Sequence, residues 1–176
     1  MHAYFMRHGQ TNYNLLGLCN DDPTRDVHLT EEGIRQAETA AARLTEVPFE
    51  RILVSELPRT RQTAEVVNRG HGAPIEMHPG INDLRSGLDG EPVAELKRRL
   101  AADPLHTRVN DGETLAEHRD RVVAFLRWLA AQPWSTVLVV AHEETLRVIE
   151  GHFRGLDDAT MVGLAFHNAE VLHFEL

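Results

Sequence analysis

The stretch Ala3-Tyr4-Phe5-Met6-Arg7-His8-Gly9-Gln10-Thr11 decides how this chain is read. A short apolar run stops abruptly at an Arg-His-Gly turn. A buried strand ending this way brings a cation, a titratable imidazole and an unhindered backbone to one point. In an α/β sheet the carboxyl ends of the strands border the binding crevice, so Arg7 and His8 read as chemistry rather than packing.

The same pattern recurs along the chain. Arg51 to Val54 is a β-prone run that ends at Ser55, and Pro58 suits the first turn of a helix through Asn68 that carries Arg59. Thr136 to Ala141 is the clearest buried strand, bounded by His142 and a helical stretch to Phe153. Between these segments, Thr30 is a helix N-cap with Glu31 and Glu32 in the first turn. Ile34, Ala37, Ala41 and Leu44 follow at helical spacing, and Pro48 closes the helix. Ile75 to Met77 reads as a third strand, Pro92 opens a helix to about Ala101, and Leu115, Val122, Phe125, Leu126 and Leu129 form one face of a longer helix. Two more strands are expected near Val162 to Phe166 and Glu170 to Phe174, while Asn12 to His28 reads as a polar loop with a turn at Asn20 to Pro23.

This alternation predicts an α/β three-layer sandwich, a mostly parallel central sheet with helices on both faces. A length of 176 residues suffices for one full domain and is short for two. Residues 1–176 are therefore expected to form a single domain, with a small cap-like irregular insertion around 78–111 signalled by Pro79-Gly80 and Gly87 to Gly90.

Composition limits the function. The chain is 42% hydrophobic and 26% charged, as in globular proteins, and its formal net charge of -9 argues against nucleic-acid or anionic-membrane partners. An anion site must then be locally cationic. The single cysteine, Cys19, allows no intrachain disulfide, no segment has the length of a membrane span, and Arg7 and His8 break any signal-like apolar run. A cytoplasmic protein is expected.

In a parallel sheet the ends of three predicted strands meet at one edge, which gathers Arg7 and His8, Arg59 and His142. Two arginines and two histidines without cysteine partners suit a phosphate group better than a metal, because guanidinium groups bind its oxygens bidentately. Asp83, in the irregular region, supplies a carboxyl group for proton transfer. Two competing patterns fail. Cys19 to Arg25 has the Cys-x5-Arg spacing of cysteine phosphatases, yet Asp21, Asp22 and Pro23 replace the amide-rich cradle such a loop needs. His142-Glu143 begins like a zinc His-Glu-x-x-His helix, but Leu146 stands at the second histidine position. No metal or other cofactor is expected.

Arg7-His8-Gly9-Gln10-Thr11 with Asn14 resembles the Arg-His-Gly-Glu/Gln-Thr/Ser-x-x-Asn signature of the histidine phosphatase superfamily, whose best-known branch is the cofactor-dependent phosphoglycerate mutases. Leu29 to Gly33 with Gln36-Ala37, Ser55 to Arg59 with Gln62-Thr63-Ala64, Gly112-Glu113-Thr114 with Arg121-Val122, and Val139 to His142 with Arg147 resemble later segments of that family, in order. The resemblance implies that His8 is the nucleophile and becomes phosphorylated, with Arg7, Arg59 and His142 holding the phosphoryl oxygens and Asn14 beside them. Asp83 stands where the family usually has a glutamate that protonates the leaving alkoxide. Glu143 and Glu144 follow His142 where the common form has glycine, and the acid-phosphatase branch places its acid there, so both rival Asp83.

The function so implied is a phosphatase that hydrolyses small phosphomonoesters through a phosphohistidine on His8. One alternative is a phosphoglycerate mutase, disfavoured by the short stretch between Asp83 and Gly112. Another is a regulatory protein that binds a phosphorylated ligand without turnover. Asn20, in a specificity loop, and Glu143, beside the cationic cluster, are expected on the substrate side. The partner is a small phosphorylated metabolite, and an exposed strand edge or helix face could support a homodimer.

Overall fold

The structure is a computed structural model describing residues 1–176. Five strands, β1 (His2–Arg7), β2 (Arg51–Val54), β3 (Ile75–Met77), β4 (Thr136–Ala141) and β5 (Val171–Glu175), form one sheet in the order β3-β2-β4-β1-β5. All neighbours run parallel except β5, which returns antiparallel along β1. The registers place Arg7 opposite Ala141 and Val54 opposite Val140, so β1, β2 and β4 end side by side at one edge.

Alternate residues of the central strands face opposite layers, as a pleated strand requires. Ala3, Phe5, Val137, Val139 and Ala141 pack against α5 (Leu115–Ala130) and α6 (Glu143–Arg154). Met6, Ile52, Val54, Leu138 and Val140 pack against α2 (Glu31–Leu44) and α3 (Pro58–Asn68). The molecule is therefore the α/β three-layer sandwich that the alternation predicts. No helix is long and apolar enough to cross a membrane.

Local chemistry fixes the helix starts. The Thr30 side chain accepts from Gly33 N, and Thr114 forms a capping box with Glu117. Two further helices, α1 (Asn12–Leu16) and α4 (Val93–Leu100), lie over the carboxyl edge. There Cys19, Leu88 and Val109, with Val93, Leu96 and Leu100, make a third small apolar cluster separate from the two layers of the sandwich.

Three local expectations differ from the structure. The Asn12–His28 stretch contains α1, because Thr11 caps it through a reciprocal box with Asn14, which polarity alone does not reveal. The buried face of α2 is Gly33, Ala37, Ala40 and Leu44, not one through Ile34, which is 38% exposed. Gly33 sets this rotation by packing on the backbone of Gln10 with no room for a side chain. Finally, 162–166 is not a strand. Asp157 caps a short helix, α7 (Asp158–Val162), and β5 already occupies the free edge of β1. A short apolar run carries no marker that separates these outcomes.

Candidate active site

The apposed ends of β1, β2 and β4 deliver His8, Ser55 and His142 to one place, and α3 adds Arg59 from its first turn. The turn after β1 is held tightly. Gly9 and Gly33 approach so closely that a Cβ at Gly9 would collide with Gly33 O, and Gly9 N donates to Thr63 Oγ1 at 3.0 Å. Asn168, on the loop before β5, donates to His8 O at 3.1 Å.

His8 is buried, and its Nδ1 lies 2.8 Å from Gly9 O. A carbonyl oxygen only accepts, so the proton sits on Nδ1 and the lone pair on Nε2. That lone pair accepts from Arg59 Nε at 3.1 Å. Burial, the Arg59 charge and the neighbouring His142 hold the His8 pKa well below its ordinary value, so the ring is neutral at physiological pH. The His142 ring lies 5.3 Å from that of His8, centroid to centroid, and is held neutral by burial and by Arg59. Its Nε2 meets Ser55 Oγ at 2.8 Å, while Nδ1 turns towards Asp83 Oδ2 at 3.5 Å.

Arg59 is the hub. Its Nη2 pairs with Asp83 Oδ2 at 2.9 Å, and Asn20 accepts from Nη1 through Oδ1 at 2.6 Å and from Nη2 through its carbonyl at 3.1 Å. Arg7 pairs with Glu143 at 2.8 Å and donates to Phe166 O. Arg147 in turn holds Glu143 and Glu144, each at 2.8 Å. Burial raises the Glu144 pKa, partly offset by Arg147. Burial also pushes the Cys19 thiol up to about 11, which keeps it protonated and a poor nucleophile at neutral pH.

Asp83 follows the 3₁₀ turn Pro79–Ile81, which a single guanidinium fastens to α5. Arg121 donates to the carbonyls of Gly80, Asn82 and Asp83 at 3.1, 3.0 and 3.2 Å and to that of Pro79 at 3.3 Å, and it also meets Glu113 and His118. Glu113 is half-buried, which opposes its charge, yet hydrogen bonds from His118 and Arg121 bring its pKa to about 2.

Seven of the eight residues singled out in the sequence, Arg7, His8, Asn14, Asn20, Arg59, Asp83 and Glu143, line one cavity of about 180 Å³, with His142 buried beneath it. Asn14 gives its Oδ1 to Thr11 N, and Asn20 is turned to Arg59. Sequence reading assigned no part to Ser55, Asn168 or the Arg121 clamp. Ser55 was signalled by its place at a strand end and Arg121 by its place in a motif, whereas Asn168 has no signal. No group of three or more His, Cys, Asp or Glu side chains is placed to hold a metal ion.

An α/β sheet edge that sets a neutral histidine against two arginines, a second histidine and a carboxylate defines a class of protein built around an anionic reacting group. The family model described as histidine phosphatase superfamily (branch 1) matches residues 3–176. The chain is 32% identical over 160 residues to an adenosylcobalamin/alpha-ribazole phosphatase of Salmonella typhimurium, covering 85% of this chain and 77% of that one. It is 30% identical over 165 residues to a protein of Cronobacter sakazakii named probable phosphoglycerate mutase GpmB, covering 89% and 76%. The crystal structure of the alpha-ribazole phosphatase from Shigella flexneri superposes with a TM-score of 0.89 at 25% identity, covering 100% of this chain and 91% of that one. This chain belongs to branch 1 of the histidine phosphatase superfamily and is a phosphoric monoester hydrolase of that family.

Proposed function

We propose that the protein hydrolyses small phosphomonoesters through a phosphohistidine on His8, with Asp83 as the general acid and base and without a metal ion. The observation that carries this reading is the His8 hydrogen-bond pattern: Nδ1 is tied to Gly9 O, so the lone pair is on Nε2 at the cavity, where it accepts from Arg59 Nε and becomes free to attack once a phosphoryl oxygen takes that donor. A neutral imidazole attacks phosphorus, the ester oxygen departs, and Arg7, Arg59 and His142 stabilise the charge on the phosphoryl oxygens. Asp83 lies between Arg59 Nη2 and His142 Nδ1, where a phosphoryl group bound to Arg59 brings the leaving oxygen beside its carboxyl. Entering the step in its protonated form, Asp83 gives that proton to the leaving oxygen, and the resulting carboxylate then takes a proton from the water that attacks the phosphohistidine, which restores the acid. Glu143 is held by two guanidinium groups, one on each oxygen, whereas Asp83 and Glu144 each meet one guanidinium, Asp83 with its other oxygen on Leu84 N, so these two are the carboxyls a proton can reach at lower electrostatic cost.

The stretch between Asp83 and Gly112 is short, with α4 as its only helix, so a bound ester stays open to water and hydrolysis is favoured over return of the phosphate to a second hydroxyl. The test is a rapid-quench reaction with p-nitrophenyl phosphate in the presence of EDTA. Wild-type protein is expected to release nitrophenol and phosphate through an acid-labile phosphoenzyme, and His8→Ala to lose about 10³-fold or more of that rate together with the phosphoenzyme. Turnover that survives His8→Ala, or that EDTA abolishes, would refute the proposal.

A further inference from the structure

The cavity carries information about the alcohol as well as the phosphate. Among its lining residues there are two cations, Arg7 and Arg59, and three carboxyl groups, Asp83, Glu143 and Glu144. Each of those cations already faces a carboxylate: Arg7 meets Glu143 at 2.8 Å and Arg59 meets Asp83 at 2.9 Å. Outside the lining, Arg147 is taken up by Glu143 and Glu144, and Arg25 by Asp89 at 2.7 Å. The rest of the lining carries no charge: Leu18, Val27, Leu84, Val93 and Leu96 with the ring of Tyr13 give an apolar stretch that includes the α4 face, and Thr11, Asn14, Asn20 and Ser86 are neutral polar groups.

With the phosphoryl group on Arg7 and Arg59, no cation in the lining is left for a second anionic group. Even with Glu144 protonated, a carboxylate on the alcohol would meet apolar side chains, neutral polar groups or another acid but no counter-charge, in a partly desolvated site where like charges repel strongly and unpaired charges are costly. We infer, resting on the phosphatase reading above, that the substrate is the phosphomonoester of an alcohol without acidic groups and with an apolar face. The cavity discriminates against esters whose alcohol carries a carboxylate or a further phosphate. Specificity then comes from the absence of a counter-charge as much as from any attractive contact.

The experiment compares phenyl phosphate with 3-carboxyphenyl phosphate, which differ by one carboxylate, using wild-type protein and Leu96→Lys, which places a cation on the apolar wall. The wild type is expected to show kcat/KM at least tenfold lower for the carboxylated ester, and Leu96→Lys to narrow that ratio. Val93→Lys on the same helix serves if Leu96→Lys does not fold. Equal or reversed values in the wild type, or a ratio that neither lysine moves, would overturn the inference. If the wild type turns over neither ester, the phosphatase reading fails by itself. The pair is then compared by calorimetric titration, where a tenfold ratio of Kd supports the charge argument and equal affinities overturn it.

Discussion

His8 illustrates how burial and charge tune one side chain. Its pKa is lowered by desolvation and by Arg59 and His142, so the nucleophilic neutral form persists below the pH at which an ordinary histidine protonates. The acid limb of kcat/KM is therefore expected to show no His8 inflection near pH 6.5. Arg59→Met removes the largest neighbouring positive charge and should move that limb to higher pH even as the rate falls; a limb that stays in place would show that burial alone sets the ring. The two carboxyl groups that face the leaving oxygen are separated by leaving-group dependence. Asp83→Asn should slow alkyl phosphates by about 10² to 10⁴ and a nitrophenyl ester far less, since a good leaving group needs no proton. The same selective loss in Glu144→Gln, with Asp83→Asn indifferent to leaving group, would transfer the acid's role to Glu144.

At the scale of elements, the site depends on contacts that hold loops onto helices. Arg121 fastens the turn carrying Asp83 to α5 through three carbonyls at 3.2 Å or less, and Glu113 secures its guanidinium. Arg121→Ala leaves those carbonyls and the Glu113 carboxylate without their donor. It should cost about 3 kcal/mol of unfolding free energy in a urea titration and lower kcat more than it raises KM. Arg121→Lys, which lacks the forked donor set, should recover only part of either loss. The Gly9–Gly33 contact has a similar role between β1 and α2. A methyl group at either position collides with backbone, so Gly33→Ala is expected to shift the His8 turn and reduce activity while the helix itself tolerates alanine.

At the scale of the molecule, two buried neutral histidines make stability depend on pH. His8 and His142 have folded-state pKa values well below 6.5, whereas the unfolded chain protonates them near that value. Below pH 6.5 the unfolded state then binds more protons, so their contribution to stability is complete above that pH and is lost as pH falls towards the folded values. Each ring contributes a slope approaching about 1.4 kcal/mol per pH unit in that window. Urea titrations at pH 7.5 and 5.5 should show a larger fall for the wild type than for His8→Asn or His142→Asn; equal falls would contradict the buried neutral assignment.

The sequence by itself determined the layered α/β architecture, because hydrophobic period, caps and prolines are local signals that agree with one another from Thr30 to Ala141. It also determined which residue types sit at strand ends: Arg7, His8, Ser55 and His142 follow from where each apolar run stops. Only the tertiary structure decided the inward face of α2, which a backbone contact at Gly33 selects against the more hydrophobic Ile34. It likewise decided that 162–166 stays out of the sheet, and that Asn168 and Arg121 serve residues distant in sequence. These outcomes depend on pairings between segments far apart in the chain. A single sequence encodes such pairings through shape and charge complementarity, which becomes visible once the elements have packed.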